Sequence, residues 1–190
     1  MSVGALPALL EKWAGIATAE GWTAGWVEGA ILPCEMVFFL ARCEQAGITT
    51  VIESGRQDGY STRLLGEYAR RQGIRVFSID READVERALR CRERLLGYPE
   101  LQLLKGEANW LLGRLVRAER RTPLAVLVDG PKGLWAVGLL FAAAGYPWVQ
   151  LIAQHNLSDT DGTRSLFARW ADEPVFHEAH TSGAGPAWEA

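Results

Sequence analysis

Between Val51 and Thr62 the chain reads Val-Ile-Glu-Ser-Gly-Arg-Gln-Asp-Gly-Tyr-Ser-Thr. Few stretches leave a backbone less choice. Ile48, Val51 and Ile52, with Thr49 and Thr50 among them, are the apolar and β-branched residues of a buried strand. Gly55 breaks that strand and the turn runs on through Gly59. Helical spacing resumes at Leu64, Leu65 and Tyr68, with Ser61 or Thr62 as the expected N-cap. Glycines in such a turn let a ligand approach the backbone, and the start of a helix presents unpaired N–H groups. Glu53, at the strand end, adds a carboxylate able to hold a cationic group. From these residues the segment reads as a site for a nucleotide-like ligand with a positive centre, or as a structural turn of the same shape.

The rest of the chain continues the alternation. An amphipathic helix is expected over residues 5–19, with Leu6, Leu9, Leu10, Trp13, Ile16 and Ala17 on one side. Residues 21–29 form a glycine-rich loop whose Trp22 and Trp26 are satellite core contacts or a ligand cover. Pro33 opens a helix over 33–43, a position that suits proline. After the first strand come a helix over 61–71 and a strand over 75–79 ending in Asp80. A helix over 83–96 follows, stopped by Gly97 and Pro99. A strand over 101–104, a helix over 110–119, a strand over 124–128 and a helix over 134–144 follow. A strand over 148–153 then ends near His155-Asn156. A helix over 163–170, a last strand over 175–180 and a loose tail over 182–190 complete the expectation. Strands alternating with helices imply parallel βαβ units. The expected fold class is α/β: a Rossmann-like, doubly wound, mostly parallel sheet with helices on both faces and an antiparallel C-terminal strand. The 190 residues suit one domain: residues 1–32 as N-terminal helix and cap loop, 33–181 as core, 182–190 as tail.

Composition narrows the function classes. A net charge of −3 with both signs interspersed argues against a dominant nucleic-acid footprint. The arginines of 70–71, 87–94 and 114–121 alternate with glutamates at helical spacing and read as solvated helix faces. Cys34, Cys43 and Cys91 are odd in number and lack metal-ligand spacing, which suits reduced thiols in a cytoplasmic protein. No basic region followed by an apolar run opens the chain, and no apolar stretch is long enough to span a bilayer. The expected partner is a small-molecule substrate, with at most a second copy in a homodimer, and neither nucleic acid nor membrane.

In open parallel sheets the ligand sits beyond the carboxyl ends of the strands. The polar residues there are Glu53, Asp80, Glu107, Asp129 with Lys132, and His155 with Asn156. Asp80 can accept hydrogen bonds from both hydroxyls of a ribose, whichever nucleotide carries it; its alternative role is to cap the helix from Ala83. The turn lacks the G-x-G-x-x-G of dinucleotide enzymes, since Gln57 stands where a middle glycine is usual.

Glu-x-Gly-x-x-x-Gly-Tyr-Ser-Thr instead resembles the first motif of class I S-adenosylmethionine-dependent methyltransferases, especially the small O-methyltransferases. Gly106-Glu107-Ala108 resembles their Gly-Asp-Ala beside the adenine, with Glu107 in place of aspartate and Asn109 within reach of the same edge. Leu127-Val128-Asp129-Gly130-Pro131-Lys132 resembles the segment of catechol and caffeoyl-CoA O-methyltransferases that supplies a metal-binding aspartate. In the catechol enzymes a lysine three residues later is the base, and Lys132 stands at that spacing. Gly162-Thr163-Arg164 is similar to the end region of the bacterial enzymes.

The resemblance implies S-adenosyl-L-methionine held by Glu53 at its ammonium, by the turn residues Gly55, Gly59, Tyr60 and Ser61, by Asp80 at the ribose, by Glu107 and Ala108 at the adenine, and by Asp129. It implies Lys132, Asp129 and His155 as the catalytic set. Asp129, His155 and Asn156 would hold a divalent ion such as magnesium, manganese or iron. His155 departs from the family's aspartate. Magnesium prefers oxygen ligands whereas imidazole suits softer ions, so the alternative is a metal-free site with His155 as a base or a substrate contact. Arg56 and Gln57 also depart and are expected on the pocket rim. His177 and His180, flanking Glu178, read as a strand rather than a zinc site. The expected activity is O-methylation of a small-molecule hydroxyl. An NAD-dependent oxidoreductase, a non-catalytic cofactor-binding domain and a macromolecular methyltransferase remain as alternatives.

Overall fold

The computed structural model describes residues 5–155. The expected helix over 163–170, strand over 175–180 and tail over 182–190 therefore lie outside the described residues, as does Asn156.

Five parallel strands form one sheet: β1 (Thr50–Ser54), β2 (Arg75–Asp80), β3 (Leu101–Lys105), β4 (Leu124–Val128) and β5 (Val149–Gln154), in the order β3-β2-β1-β4-β5. The helices are α1 (Leu6–Ala19), α2 (Pro33–Gln45), α3 (Tyr60–Gln72), α4 (Val85–Leu95), α5 (Ala108–Ala118) and α6 (Leu134–Ala144). This is the doubly wound, Rossmann-like α/β fold expected. Among the described residues no helix is long and apolar enough to cross a membrane.

Period-two alternation in the strands feeds two cores, one on each face. Val51, Val76, Ala125 and Leu127 point to the face covered by α1, α2 and α3, where Trp13, Met36, Leu40, Leu64, Leu65 and Tyr68 pack. Ile52, Phe77, Ile79, Leu124, Val126 and Val128 point to the face of α5 and α6, against Leu112, Val116, Val137 and Leu140. Each fully buried leucine contributes about 1.5–3 kcal/mol, so the sheet is held from both sides. Trp22 is fully buried in the first of these cores and Trp26 packs against it, which settles their role as core contacts.

Helix starts depart from expectation in an informative way. The N-cap of α3 is Gly59, in a left-handed conformation with φ of 81°, and no side chain caps it. Ser61 and Thr62 do not cap because both are buried, and the Thr62 hydroxyl is turned inward to donate to Glu53. Helix α4 begins at Val85, capped by Asp84, whose carboxylate accepts from the Arg87 amide at 3.0 Å; Asp80 plays no part in that cap. Helix α5 begins at Ala108, two residues earlier than the apolar spacing indicated.

Candidate functional site

The chain runs from β1 outward through β2 to β3, then returns to place β4 on the other side of β1. That reversal opens a crevice at the carboxyl ends, the usual ligand position in such sheets. A cleft of about 600 Å³ lies there. Its walls are Ser54, Gly55, Arg56 and Gln57 after β1, Asp80 to Asp84 with Arg87 after β2, Gly106 to Asn109 after β3, and Asp129 to Lys132 with Trp135 after β4. Gly55, Asp80, Glu107, Ala108, Asp129 and Lys132 are thus gathered on one cleft, as the strand-end rule requires.

Gly55, on the cleft wall, also meets a packing constraint. Its φ is 95°, and a Cβ there would lie 2.8 Å from Gly130 Cα and 2.9 Å from the Asp129 carbonyl carbon. The close neighbour is the backbone after β4. Asp129 and Gly130 both donate their amides to the Ser54 carbonyl, at 2.8 and 2.9 Å, and the Ser54 hydroxyl donates to the Gly130 carbonyl. The two turns that bracket the crevice are therefore tied to each other.

Asp80 anchors the cleft's other side. Its Oδ2 accepts from the Gln57 amide at 3.0 Å and its Oδ1 from the Glu82 amide at 2.6 Å. Among the described residues Gln57 and Glu82 are the two non-glycine residues with positive φ, at 44° and 50°. Such conformations cost about 1–3 kcal/mol each and persist only where the surroundings enforce them; here the carboxylate does. An ionised carboxylate has about four lone-pair positions, so two amide contacts leave Asp80 able to accept from a ligand as well.

Arg56 is not the rim residue expected. Its side chain turns inward and is buried, donating to the Ser78 carbonyl at 2.7 Å and pairing with Glu82 at 2.5 Å. Glu82 also receives Arg92, at 2.6 Å. Arg87 clamps the outer wall by pairing with Asp58, whose carboxyl this hydrogen bond holds below its usual value.

Glu53 lies beneath the cleft and is fully buried. Its Oε2 accepts from the hydroxyls of Thr62 and Ser78, each at 2.5 Å, while Oε1 has no hydrogen-bond partner among the described residues. Burial pushes the Glu53 carboxyl up from its ordinary value, against the opposing hydroxyl contacts of Ser61, Ser78 and Thr62. Gly59 packs on α4, where a Cβ would stand 2.7 Å from Cys91 Sγ. Tyr60 and Ser61 line a narrow recess beside the main cleft, together with Val27, Ala30 and Asp129. The Tyr60 hydroxyl donates to the Trp22 carbonyl at 3.0 Å, and burial pushes that phenol up to about 12. Glu107 is exposed at the far rim, 3.9 Å from Arg81.

At the β4–β5 side three side chains meet. Lys132 Nζ lies 2.5 Å from Asp129 Oδ1, and His155 Nδ1 lies 2.7 Å from the same oxygen and 3.3 Å from Nζ. Burial pushes the Asp129 carboxyl up, but the His155 hydrogen bond and the Lys132 charge outweigh it and hold the group below its usual range. His155 is buried, and its other nitrogen, Nε2, lies 3.5 Å from Glu35 Oε2 on α2. Among the described residues no group of three His, Cys, Asp or Glu side chains is gathered for a metal. Among the described residues Lys132 is the cation on Asp129 Oδ1, which His155 Nδ1 also meets, and Asn156, the third ligand the resemblance implies, lies outside them. Glu35, Glu82 and Trp135 were not singled out in the sequence. Only for Trp135, which follows the Asp129–Lys132 segment closely, was there a local signal.

No protein-family model matches this chain, and no curated protein matches it. Among solved structures, it is similar to the SAH-bound Podospora anserina methyltransferase PaMTH1. The two are 17% identical with a TM-score of 0.54, over 91% of this chain and 70% of that one. At that identity the likeness concerns the fold alone.

Proposed function

We propose that this protein is an S-adenosylmethionine-dependent methyltransferase acting on a hydroxyl of a small molecule. The observation that carries the reading is the pairing, across one cleft at the topological switch point, of a rigidly held Asp80 carboxylate with the Lys132–Asp129 ion pair. The SAH-bound state of the Podospora anserina enzyme of similar fold supports it. So does the resemblance of the Glu53–Thr62 turn. When bound, the cofactor supplies an electrophilic methyl group on a sulfonium.

The remaining chemistry belongs to the chain. Asp80 accepts from the ribose hydroxyls and orients the nucleoside; Ala108 and Asn109, at the start of α5, line the cleft beside β3 and receive the base. Orientation of the reacting atoms supplies much of the rate of such an in-line displacement. Lys132 Nζ is placed to take the proton of the acceptor hydroxyl once its own has passed to water, and the ammonium so re-formed rests on Asp129 at 2.5 Å. At 43% exposure the Lys132 side chain can return that proton to water. Metal assistance, implied by the resemblance, is the part of the reading this donor set supports least.

Calorimetry with S-adenosylhomocysteine tests the proposal. Micromolar binding is expected, weakened by about 1.5–3 kcal/mol in Asp80→Ala, the value of a hydrogen bond to a charged group. A companion melt is needed because Asp80 also holds the Gln57 and Glu82 amides. Neither heat nor a thermal shift with the native protein would refute the reading, and binding of a nicotinamide dinucleotide instead would favour an oxidoreductase.

A further inference from the structure

Glu35 stands outside the cleft walls, yet it ends a continuous chain of polar contacts that reaches them. It occupies the first turn of α2, where its Oε2 accepts from the Leu32 amide at 2.8 Å. That contact fixes the carboxylate against its own helix. The same oxygen lies 3.5 Å from His155 Nε2. His155 Nδ1 lies 2.7 Å from Asp129 Oδ1, which lies 2.5 Å from Lys132 Nζ. The chain thus runs from α2, through the end of β5 and the end of β4, to the amine in the cleft. His155 is buried, Asp129 and Glu35 are partly buried, and Lys132 is the most open to solvent of the four.

We infer that Glu35 is a positioning residue: through His155 it sets the orientation of the Asp129–Lys132 pair that faces the methyl acceptor. The assignment of an acceptor side rests on the function proposed above, whereas the linkage itself does not. With Nδ1 on Asp129 at 2.7 Å and Nε2 3.5 Å from the Glu35 carboxylate, this orientation of the ring is favoured over its flip, which would turn carbon toward each carboxylate. The ring then fixes the Asp129 carboxylate, and the carboxylate restrains a lysine side chain that otherwise carries large rotamer freedom. Helix α2 thereby bears on the geometry of a group that follows β4. The residues of the cleft do not themselves supply this hold.

The full chain, labelled with ¹⁵N in histidine and lysine, tests this without any ligand. Ring signals of His155 are identified by their loss in His155→Gln, and the Lys132 ammonium signal by its loss in Lys132→Met. In Glu35→Gln the amide oxygen can still accept from Leu32 N–H, but the Glu35 charge facing Nε2 is gone. The His155 ring nitrogens are expected to shift. Exchange of the Lys132 ammonium protons with water is expected to quicken about three- to tenfold relative to Lys105, as for a weakened hydrogen bond to a charged group. The melting temperature should stay close to that of the native chain. Should Glu35→Gln not fold, His155→Gln breaks the same chain from its centre and is expected to quicken Lys132 exchange by the same range. A folded Glu35→Gln with unchanged His155 and Lys132 signals overturns the inference, as does unchanged Lys132 exchange in His155→Gln. Failure to bind S-adenosylhomocysteine would strike the proposed function alone, because none of these readouts uses it.

Discussion

Replacing Gly55 by alanine is the sharpest test of how the crevice is built. The backbone φ of 95° lies where L side chains rarely go, which costs about 1–3 kcal/mol. The added Cβ would also press within 2.8–2.9 Å of Gly130 Cα and the Asp129 carbonyl carbon, both backbone atoms held by hydrogen bonds to Ser54. Backbone cannot rotate aside as a side chain can, so overpacking of about 1–3 kcal/mol adds to the strain. The sum, about 2–6 kcal/mol, is a large share of the roughly 5–15 kcal/mol that stabilises a typical domain. Gly73 supplies the control. It too has positive φ, 66°, but a Cβ there meets nothing within 4 Å, so only the conformational cost of about 1–2 kcal/mol applies. Urea unfolding followed by circular dichroism should place Gly55→Ala well below Gly73→Ala, and thermal melts should show a drop of roughly 5–20 °C. Equal destabilisation of the two variants would refute the argument. The glycine turn is thus first a stability element. Gly55→Val, whose β-branched side chain is larger still, is expected to destabilise the sheet further.

Two further outcomes follow from the same geometry. With an acceptor in hand, Lys132→Met should slow methyl transfer roughly 10²- to 10⁴-fold while leaving cofactor affinity nearly unchanged; chelators should have no effect, and restoration of chelated enzyme by manganese, iron or magnesium would overturn the placing of Lys132 as the local cation. Burial raises the Glu53 carboxyl in the folded chain, so the folded state holds that proton more tightly than the unfolded chain does. Stability from this group is fully present below the unfolded value of about 4.3 and is lost as pH rises through the raised folded value. Unfolding free energies of the native chain and Glu53→Gln should therefore diverge with rising pH, in favour of the variant, and a difference independent of pH would contradict the burial argument.

Within the described residues, local pattern was enough to locate the strands, most helix ends to within a residue or two, and Asp80, Asp129 and Lys132 at strand ends on one cleft. Those features are written in short-range periodicity, because a strand or helix is recognised by which of its own residues are apolar. What stands across from a residue is not written there. Gly55 is indispensable because β4 lies beside β1, with Ser54 opposite Val128, and nothing near Gly55 in the sequence announces Gly130. Thr62 looks like a helix cap, yet its hydroxyl serves Glu53 because β1 and β2 bring Glu53 and Ser78 side by side beneath α3. Arg56 looks like a rim residue and is drawn under the turn by Glu82 and the Ser78 carbonyl. Glu35 and His155 carry no shared motif at all; α2 and the end of β5 meet only after the sheet is wound. Short-range pattern thus sets the elements and which polar residues stand at their ends. The tertiary structure decided which polar groups are buried, paired or left to face the cleft, because burial and pairing depend on the order of strands in the sheet and on which helix covers each face.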